Sequence, residues 1–546
     1  MLLRNGKPSF ATLLATVAIL SVLIQPGCQP TPQPAETKTL TYAVSADITS
    51  LDPVRATEDA PRLITAQVLE TLVTYDDQLR LRPLLAESWE PLEGGKEWRF
   101  KLRPNVRFHD DPSFNGQQRT VNSGDVVYSL QRMLDPKSQT LGAFILTDVV
   151  DGAADFSEGK SGSVPGLIAE DALTVRIRLT KPYAQFPARL TLPFAAVVPK
   201  EAVAAHGDQW GTHPVGTGPF KLKSWDVANG QILLERNPTY WGQIQTNLTE
   251  VNFRILKSEA AQLTGFVQGG VDAFEVSPAV ADQVLEGGER LNSRFAGAEL
   301  LQTPTLKVHF VGFNLHNPIL KDRNFRLACN YAINKDELTR QVLNGTAVPA
   351  NGVLPPGLPG AADGPLYPQD VDKAKQLVQA SPYRGQELVY TTDNSTSSVA
   401  VAEALQNQLA SIGVKIRIDK NPESVWIDKL TKGSFDLAKL YFAFDYPSPD
   451  NGFSQFLKSN FAPTGPNFLF YTNANFDPLY EQTLQQPDPQ QSAEEFRQLN
   501  QMIREDAPWI FLYFPKRAIV MRGGVVGLKI NPLSFSLLLT DVKKAG

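Results

Sequence analysis

In "VAVAEALQNQLASIGVKIRI", residues 399–418, the apolar spacing changes character at a single glycine. Val401, Leu405, Leu409 and Ile412 recur at helical intervals, whereas Val414, Ile416 and Ile418 alternate with polar residues as a strand does. Gly413 lies at the junction, where a helix end favours a residue tolerant of positive φ. A helix that ends there and feeds a half-buried strand must pack back on the sheet it enters, which predicts α/β layers.

Other windows repeat the pattern. "WRFKLR" sets Trp98, Phe100 and Leu102 against Arg99, Lys101 and Arg103, and "LTVRIRL" alternates through Leu173, Val175, Ile177 and Leu179. Their basic faces read as solvent-facing sheet surfaces. "GDVVYSLQRML" places Val126, Val127, Leu130, Met133 and Leu134 on one helical face, with Asp125 in the first turn. "VNFRI" (251–255) and "VHFVGFNL" (308–315) add strands, and "DVDKAKQLVQ" (370–379) adds a helix. No fixed period links these segments, which disfavours a solenoid or propeller. A chain of 546 residues, 42% hydrophobic, has material for two or three domains. Its net charge of −5 provides no broad basic field for nucleic acid.

The amino terminus reads as a targeting segment. Arg4 and Lys7 precede an uncharged run whose apolar centre, Ala11 to Ile24, is short for a membrane span. Residues 1–27 are therefore expected to be a signal peptide, and "LIQPGCQP" suggests cleavage before Cys28 with lipid attached to its thiol. Gln25 and Pro26 depart from the usual lipoprotein pattern, so ordinary cleavage and an uncleaved anchor stay open. Residues 28–37 form a Pro-rich spacer. The only other cysteine, Cys329, sits among helix-compatible apolar residues and reads as a buried structural thiol.

Catalytic and metal motifs are missing. The five histidines show no paired ligand spacing, there is no Gly-x-Ser-x-Gly elbow, and "EGKSGS" (158–163) has Ala154 where a phosphate loop needs Gly. No catalytic residue, metal or cofactor is expected. One acid stands out instead. In "LYFAFDYPSPDNGF" an apolar run from Leu440 to Phe444 ends at Asp445, followed by Pro447, Pro449 and Asp450-Asn451-Gly452. Asp445 either opens a turn or is carried by a strand to a cleft, where it meets a cationic ligand group.

Several blocks after residue 38 decide how these pieces connect. "SLDP" (50–53), "LAESWEPLEGGKEWRFKLRPNVRFHD" (85–110), "DVVYSLQRMLDP" (125–136), "HPVGTGPFKLKSWD" (213–226), "LLERNPTYWG" (233–242), "FNLHNPILKDRNFRLACNYAINKDEL" (313–338) and "GTAVPANGVLPPG" (345–357) occur in that order. In these blocks the chain resembles the family 5 extracellular solute-binding proteins of ABC importers, the group that includes oligopeptide- and dipeptide-binding proteins. The segment "DPSFNGQQRTVNSG" (111–124) is longer than the family's usual one and should change only a surface loop.

The resemblance implies a bilobal periplasmic-binding-protein-like α/β fold of type II with an inserted domain, its mixed sheets flanked by helices. Residues 38–72, 205–305 and 511–546 would form the first domain, 73–204 the inserted second and 306–510 the third, with ligand enclosed between first and third. It implies an extracytoplasmic monomer, in the periplasm or lipid-anchored at the outer face of the bacterial cytoplasmic membrane, that hands peptides to a membrane permease. Asp445 would pair with the peptide's α-ammonium, and the backbones of Tyr441, Phe442, Ala443 and Phe444 and of the loop Thr57, Glu58 and Asp59 would flank its main chain. Dipeptide-binding members carry an Arg just before the helix that begins here near Val399, yet "YTTDNSTSSVA" (390–400) has no basic residue, which favours longer peptides. A non-peptide solute such as a nickel chelate, an oligosaccharide or an opine, and a secreted hydrolase, remain as alternatives.

Overall fold

The strand Trp509–Met521, 13 residues long, runs through the middle of the fold. Its sequence "WIFLYFPKRAIVM" is apolar almost throughout, as a strand covered on both faces must be. Its side chains alternate between cores: Trp509 and Phe511 enter one cluster, Ile510 and Leu512 a second. Farther along, Ile519 and Met521 rejoin the first cluster while Ala518 and Val520 enter a third. The computed structural model describes residues 37–138 and 140–545, so the expected signal segment and Cys28 lie outside the described residues.

The amino-terminal half of this strand pairs antiparallel with Lys307–Phe313, and the carboxyl-terminal half with Ala273–Glu275 and Glu299–Pro304. A single 12-stranded sheet results. From the central strand, one wing continues through Lys307–Phe313, Leu437–Ala443 and Glu387–Asp393 to Lys415–Asn421. The other continues through Ala273–Glu275, Thr39–Val44, Glu250–Ile255 and Gln231–Arg236 to Phe220–Asp226. Where the wings meet, Pro515 supplies no N–H to the ladder, and its carbonyl accepts from Thr305 N–H at 2.8 Å. A separate antiparallel sheet of four strands, in the order Ala86–Leu92, Glu97–Leu102, Thr174–Arg178 and Leu167–Asp171, lies apart from it in topology.

The expected elements are present, with informative differences. The helix expected near Val399 begins at Thr396, because the Ser395 hydroxyl caps it by accepting from Ser398 N–H at 3.4 Å. Gly413 has φ +81°, as a left-handed helix end requires. Helix Ser123–Leu134 starts on a capping box between Asn122 and Asp125, and Val127 on it is only half-buried. On the basic sheet face, Arg99 pairs with Glu90 at 3.1 Å and Lys101 with Glu87 at 3.2 Å. Arg103 is not part of that face: its guanidinium lies 4.9 Å from the Trp241 ring, and Nε donates to Leu84 O at 2.6 Å. Residues 158–163 form exposed turns and bends with no helix following, which removes any phosphate-loop geometry. Cys329 is buried, and burial pushes its thiol pKa above the usual range.

Helix Asp59–Val68 leads from the cleft to a buried carboxylate, Glu70, which is 4% exposed. Thr217 Oγ1 and Trp241 Nε1 donate to its Oε2 at 2.7 and 2.8 Å, and Tyr240 donates to Oε1 at 2.8 Å. Those donors come from "GTGPF" and "NPTYWG", so two blocks that carry the resemblance meet on one acid. Gly216 and Gly218 flank Thr217, and a Cβ on either would fall within 2.4 Å of the carbonyl oxygen of Val68 or Gln67. Desolvation pushes the Glu70 pKa up to about 7, against the pull of its three donors and Arg103.

Candidate ligand-binding cleft

A cavity of about 710 Å³ opens where the two wings of the large sheet meet. The ends of several strands and the starts of three helices form it: the segment after Tyr42, Glu58 with Asp59, Glu259, Glu275 to Pro278, Thr305 to Lys307, Ser397, and Ala443 with Phe444. Ligand sites of α/β folds commonly occupy such strand ends, where loops converge over open backbone.

Strand Leu437–Ala443 delivers the acid singled out in the sequence. It pairs along its whole length with Lys307–Phe313, but on its other edge only Leu437 and Ala438 find partners, Tyr390 and Thr391. Among the described residues, the edge from Lys439 to Ala443 is therefore open on that side. Asp445 lies two residues beyond it. Its N–H donates to Asn451 Oδ1 at 2.8 Å, and Asn451 Nδ2 approaches its Oδ2 at 3.5 Å. Among the described residues no ion pair engages Asp445; Arg62, on helix Asp59–Val68, is the cation nearby. Burial raises the Asp445 pKa, while the Asn451 hydrogen bond and Arg62 pull it down. Arg62 is itself depressed by burial, with Asp59 and Asp445 opposing. Its guanidinium sits 4.6 Å from the Phe194 ring, and Nε donates to Ala56 O at 3.1 Å.

Of the expected binding residues, Glu58, Asp59, Ala443 and Phe444 line the cavity. Thr57, Tyr441, Phe442 and Asp445 do not, though Tyr441 and Phe442 line a smaller hollow of about 50 Å³ beside Trp509. The loop expected at 57–59 ends one residue sooner, since Asp59 is already the first helical residue and Glu58 its extended N-cap. Asp450, Asn451 and Gly452, expected as turn residues, form the short helix Pro449–Phe453 instead; Pro449 at its first positions presets φ for a helix start. Sequence spacing gave no sign that Arg62 lies near Asp445 or that Lys307 and Lys516 line one cavity, because the segments involved are far apart along the chain. Among the described residues no group of His, Cys, Asp and Glu could hold a metal ion.

Residues 80–463 match the family model described as bacterial extracellular solute-binding proteins, family 5. The chain belongs to this family. As a family 5 protein it is a solute-binding component of an ABC transporter, a periplasmic or extracellular class that is not enzymatic, which sets the hydrolase alternative aside. The glutathione-binding protein GsiB of Escherichia coli O1:K1 is 24% identical over 503 residues, covering 91% of this chain and 92% of its own. HbpA2 from Haemophilus parasuis matches with a TM-score of 0.82 at 22% identity, covering 93% of this chain and all 100% of that one. The unliganded open form of the periplasmic murein tripeptide binding protein MppA matches with a TM-score of 0.81 at 22% identity, covering 93% and 98%. These likenesses establish for this family 5 protein the mixed α/β periplasmic-binding-protein fold. No helix among its described residues is long and apolar enough to cross a membrane.

Proposed function

We propose that this family 5 protein captures peptides between its lobes and delivers them to a membrane permease, with Asp445 receiving the peptide's α-ammonium. The observation that carries the proposal is a half-buried carboxylate that has no ion pair among the described residues, placed just past an open strand edge. An ammonium leaving water needs such a partner, and an open edge offers main-chain pairing that reads length and direction more than sequence. Relatives named for glutathione and for a murein tripeptide fit a short peptide ligand. The three-domain division at 38–72, 205–305 and 511–546, 73–204 and 306–510, monomeric action and a lipid anchor at Cys28 belong to the same proposal.

Calorimetry on a double-mutant cycle tests it. Asp445→Ala should weaken binding of a free-amine peptide by about 2–5 kcal/mol, since one charge of a desolvated pair is left alone. Acetylating the peptide's amino terminus should weaken wild-type binding comparably and hardly affect the variant. Equal losses on acetylation in both proteins would show that Asp445 does not read the amine.

A further inference from the structure

The two wings of the large sheet also meet away from the central strand. The four-stranded sheet and residues 181–189 that follow it lie in chain order between Thr39–Val44 and Phe220–Asp226, so they belong with one wing. Residues 446–492 follow Leu437–Ala443 and belong with the other. Between them, Ala184 N–H donates to Leu484 O at 2.7 Å, Gln185 Nε2 donates to Ser492 Oγ at 3.1 Å, and Lys181 pairs with Glu481 at 2.6 Å. In the same seam Tyr183 OH donates to Asp450, both residues being only 1% exposed.

Each side of this seam is complete without the other. Tyr183 is anchored on the four-stranded sheet by its own backbone, its N–H donating to Gly95 O at 3.1 Å and its carbonyl accepting from Trp98 Nε1 at 3.2 Å. Its hydroxyl also accepts from Arg189 Nε at 3.1 Å, and Asp148 accepts from the same guanidinium at 3.0 Å. Asp450 has Tyr446 OH at 2.8 Å and Ser448 Oγ as donors from its own side. Burial raises the Tyr183 pKa well above its usual value, so the phenol keeps its proton and is the donor to Asp450. If the seam parts, one hydrogen bond to Asp450 is exchanged for water, and neither buried group is left without a partner. The half-exposed Lys181–Glu481 pair is hydrated as readily. Polar contacts of this kind hold a definite geometry when closed and lose little when parted.

We infer that segment 181–189 is a releasable clasp: it fastens one wing to the short helix Pro449–Phe453 of the other, and it must let go before a ligand enters or leaves the cleft. Two bodies joined at one strand can swing about it, whereas a second attachment fixes the angle between them. The inference rests on the reading above, that ligand is captured between the lobes, and deepens it. Asp450 and Asn451 are neighbours on that helix and Asn451 holds Asp445, so the clasp and the acid proposed to meet the ligand share one support. By linkage, a ligand that steadies Asp445 tightens the clasp, and the clasp in turn slows release of that ligand.

A reversible cross-link tests the inference. The backbones of Ala184 and Leu484 are already hydrogen-bonded, so Ala184→Cys combined with Leu484→Cys can bridge the seam by a disulfide. Exchange of an isotope-labelled tetrapeptide pool for the unlabelled one, followed by native mass spectrometry, should be lost when this protein is oxidised and return on reduction. The reduced form is its own control for damage. Tyr183→Phe, shown folded by its melting temperature, should exchange about fivefold faster than wild type, as expected when one hydrogen bond is missing from the clasped state alone. Equal exchange by the oxidised and reduced proteins would overturn the clasp and make the seam a permanent interface, as would an unchanged rate in Tyr183→Phe. Failure of the pool to bind wild type would overturn the peptide reading instead. Scattering then decides the clasp by itself: the oxidised protein should have a smaller radius than the reduced one, and equal radii would overturn it.

Discussion

Two acids of similar local appearance serve opposite ends. Asp445 was legible in the sequence because it interrupts an apolar run, whereas Glu70, inside "VLETLV", has the spacing of an ordinary exposed position on an amphipathic segment. Its burial became visible only once "GTGPF" and "NPTYWG" converged on it from more than a hundred residues away. Glu70 also makes a pH prediction. Below about pH 4.5 the carboxyl is protonated in folded and unfolded chains alike, and between there and about 7 only the folded chain holds the proton. Stability attributable to Glu70 therefore falls as pH rises through that window, by at most about 3 kcal/mol, and is level above it. Glu70→Gln mimics the protonated acid: the amide can donate to the Tyr240 oxygen while its carbonyl accepts from Thr217 and Trp241. Urea unfolding should show wild type and variant equal near pH 4.5, with the variant the more stable at pH 8. Parallel curves across the window would contradict a proton held at Glu70.

At the scale of the element, the short helix Pro449–Phe453 is what fixes Asp445, the acid proposed to meet the ligand. "PSPDNG" reads as turn chemistry because each residue type is at home in turns, and only the position of Pro449 at a helix start favours the helix that forms. Asn451 from this helix holds Asp445, and Asp450, 1% exposed, accepts from Tyr446 OH at 2.8 Å and also from Tyr183 OH and Ser448 Oγ. Tyr183 belongs to a segment that ties in elsewhere, through Ala184 N–H to Leu484 O at 2.7 Å and Lys181 to Glu481 at 2.6 Å. Asp450→Ala would leave three buried hydroxyls without their acceptor and should cost about 2–4 kcal/mol of stability, whereas Tyr183→Phe should cost only about 1. If the helix positions Asp445, the first change should also weaken peptide binding although Asp450 is buried and does not line the cavity. Calorimetry showing full affinity in a destabilised Asp450→Ala protein would separate stability from positioning.

For the whole molecule, the α/β class was legible from the change of period at Gly413, but the sheet order was not, because strand pairing across hundreds of residues leaves no local trace. The same limit hid the cavity, whose lining comes from segments that are neighbours only in space. If ligand closes the two wings on each other, a bound peptide should raise the melting temperature and reduce the scattering radius together. A stabilising peptide that left the radius unchanged would argue against closure. The central strand Trp509–Met521 carries one more consequence, for biosynthesis. Both wings hydrogen-bond to it, yet it follows every other strand of that sheet in chain order, so neither half-sheet can be completed before these residues are made. The growing polypeptide therefore has two cores each waiting for the same late-coming strand, and it stays uncommitted to its fold until that strand is available.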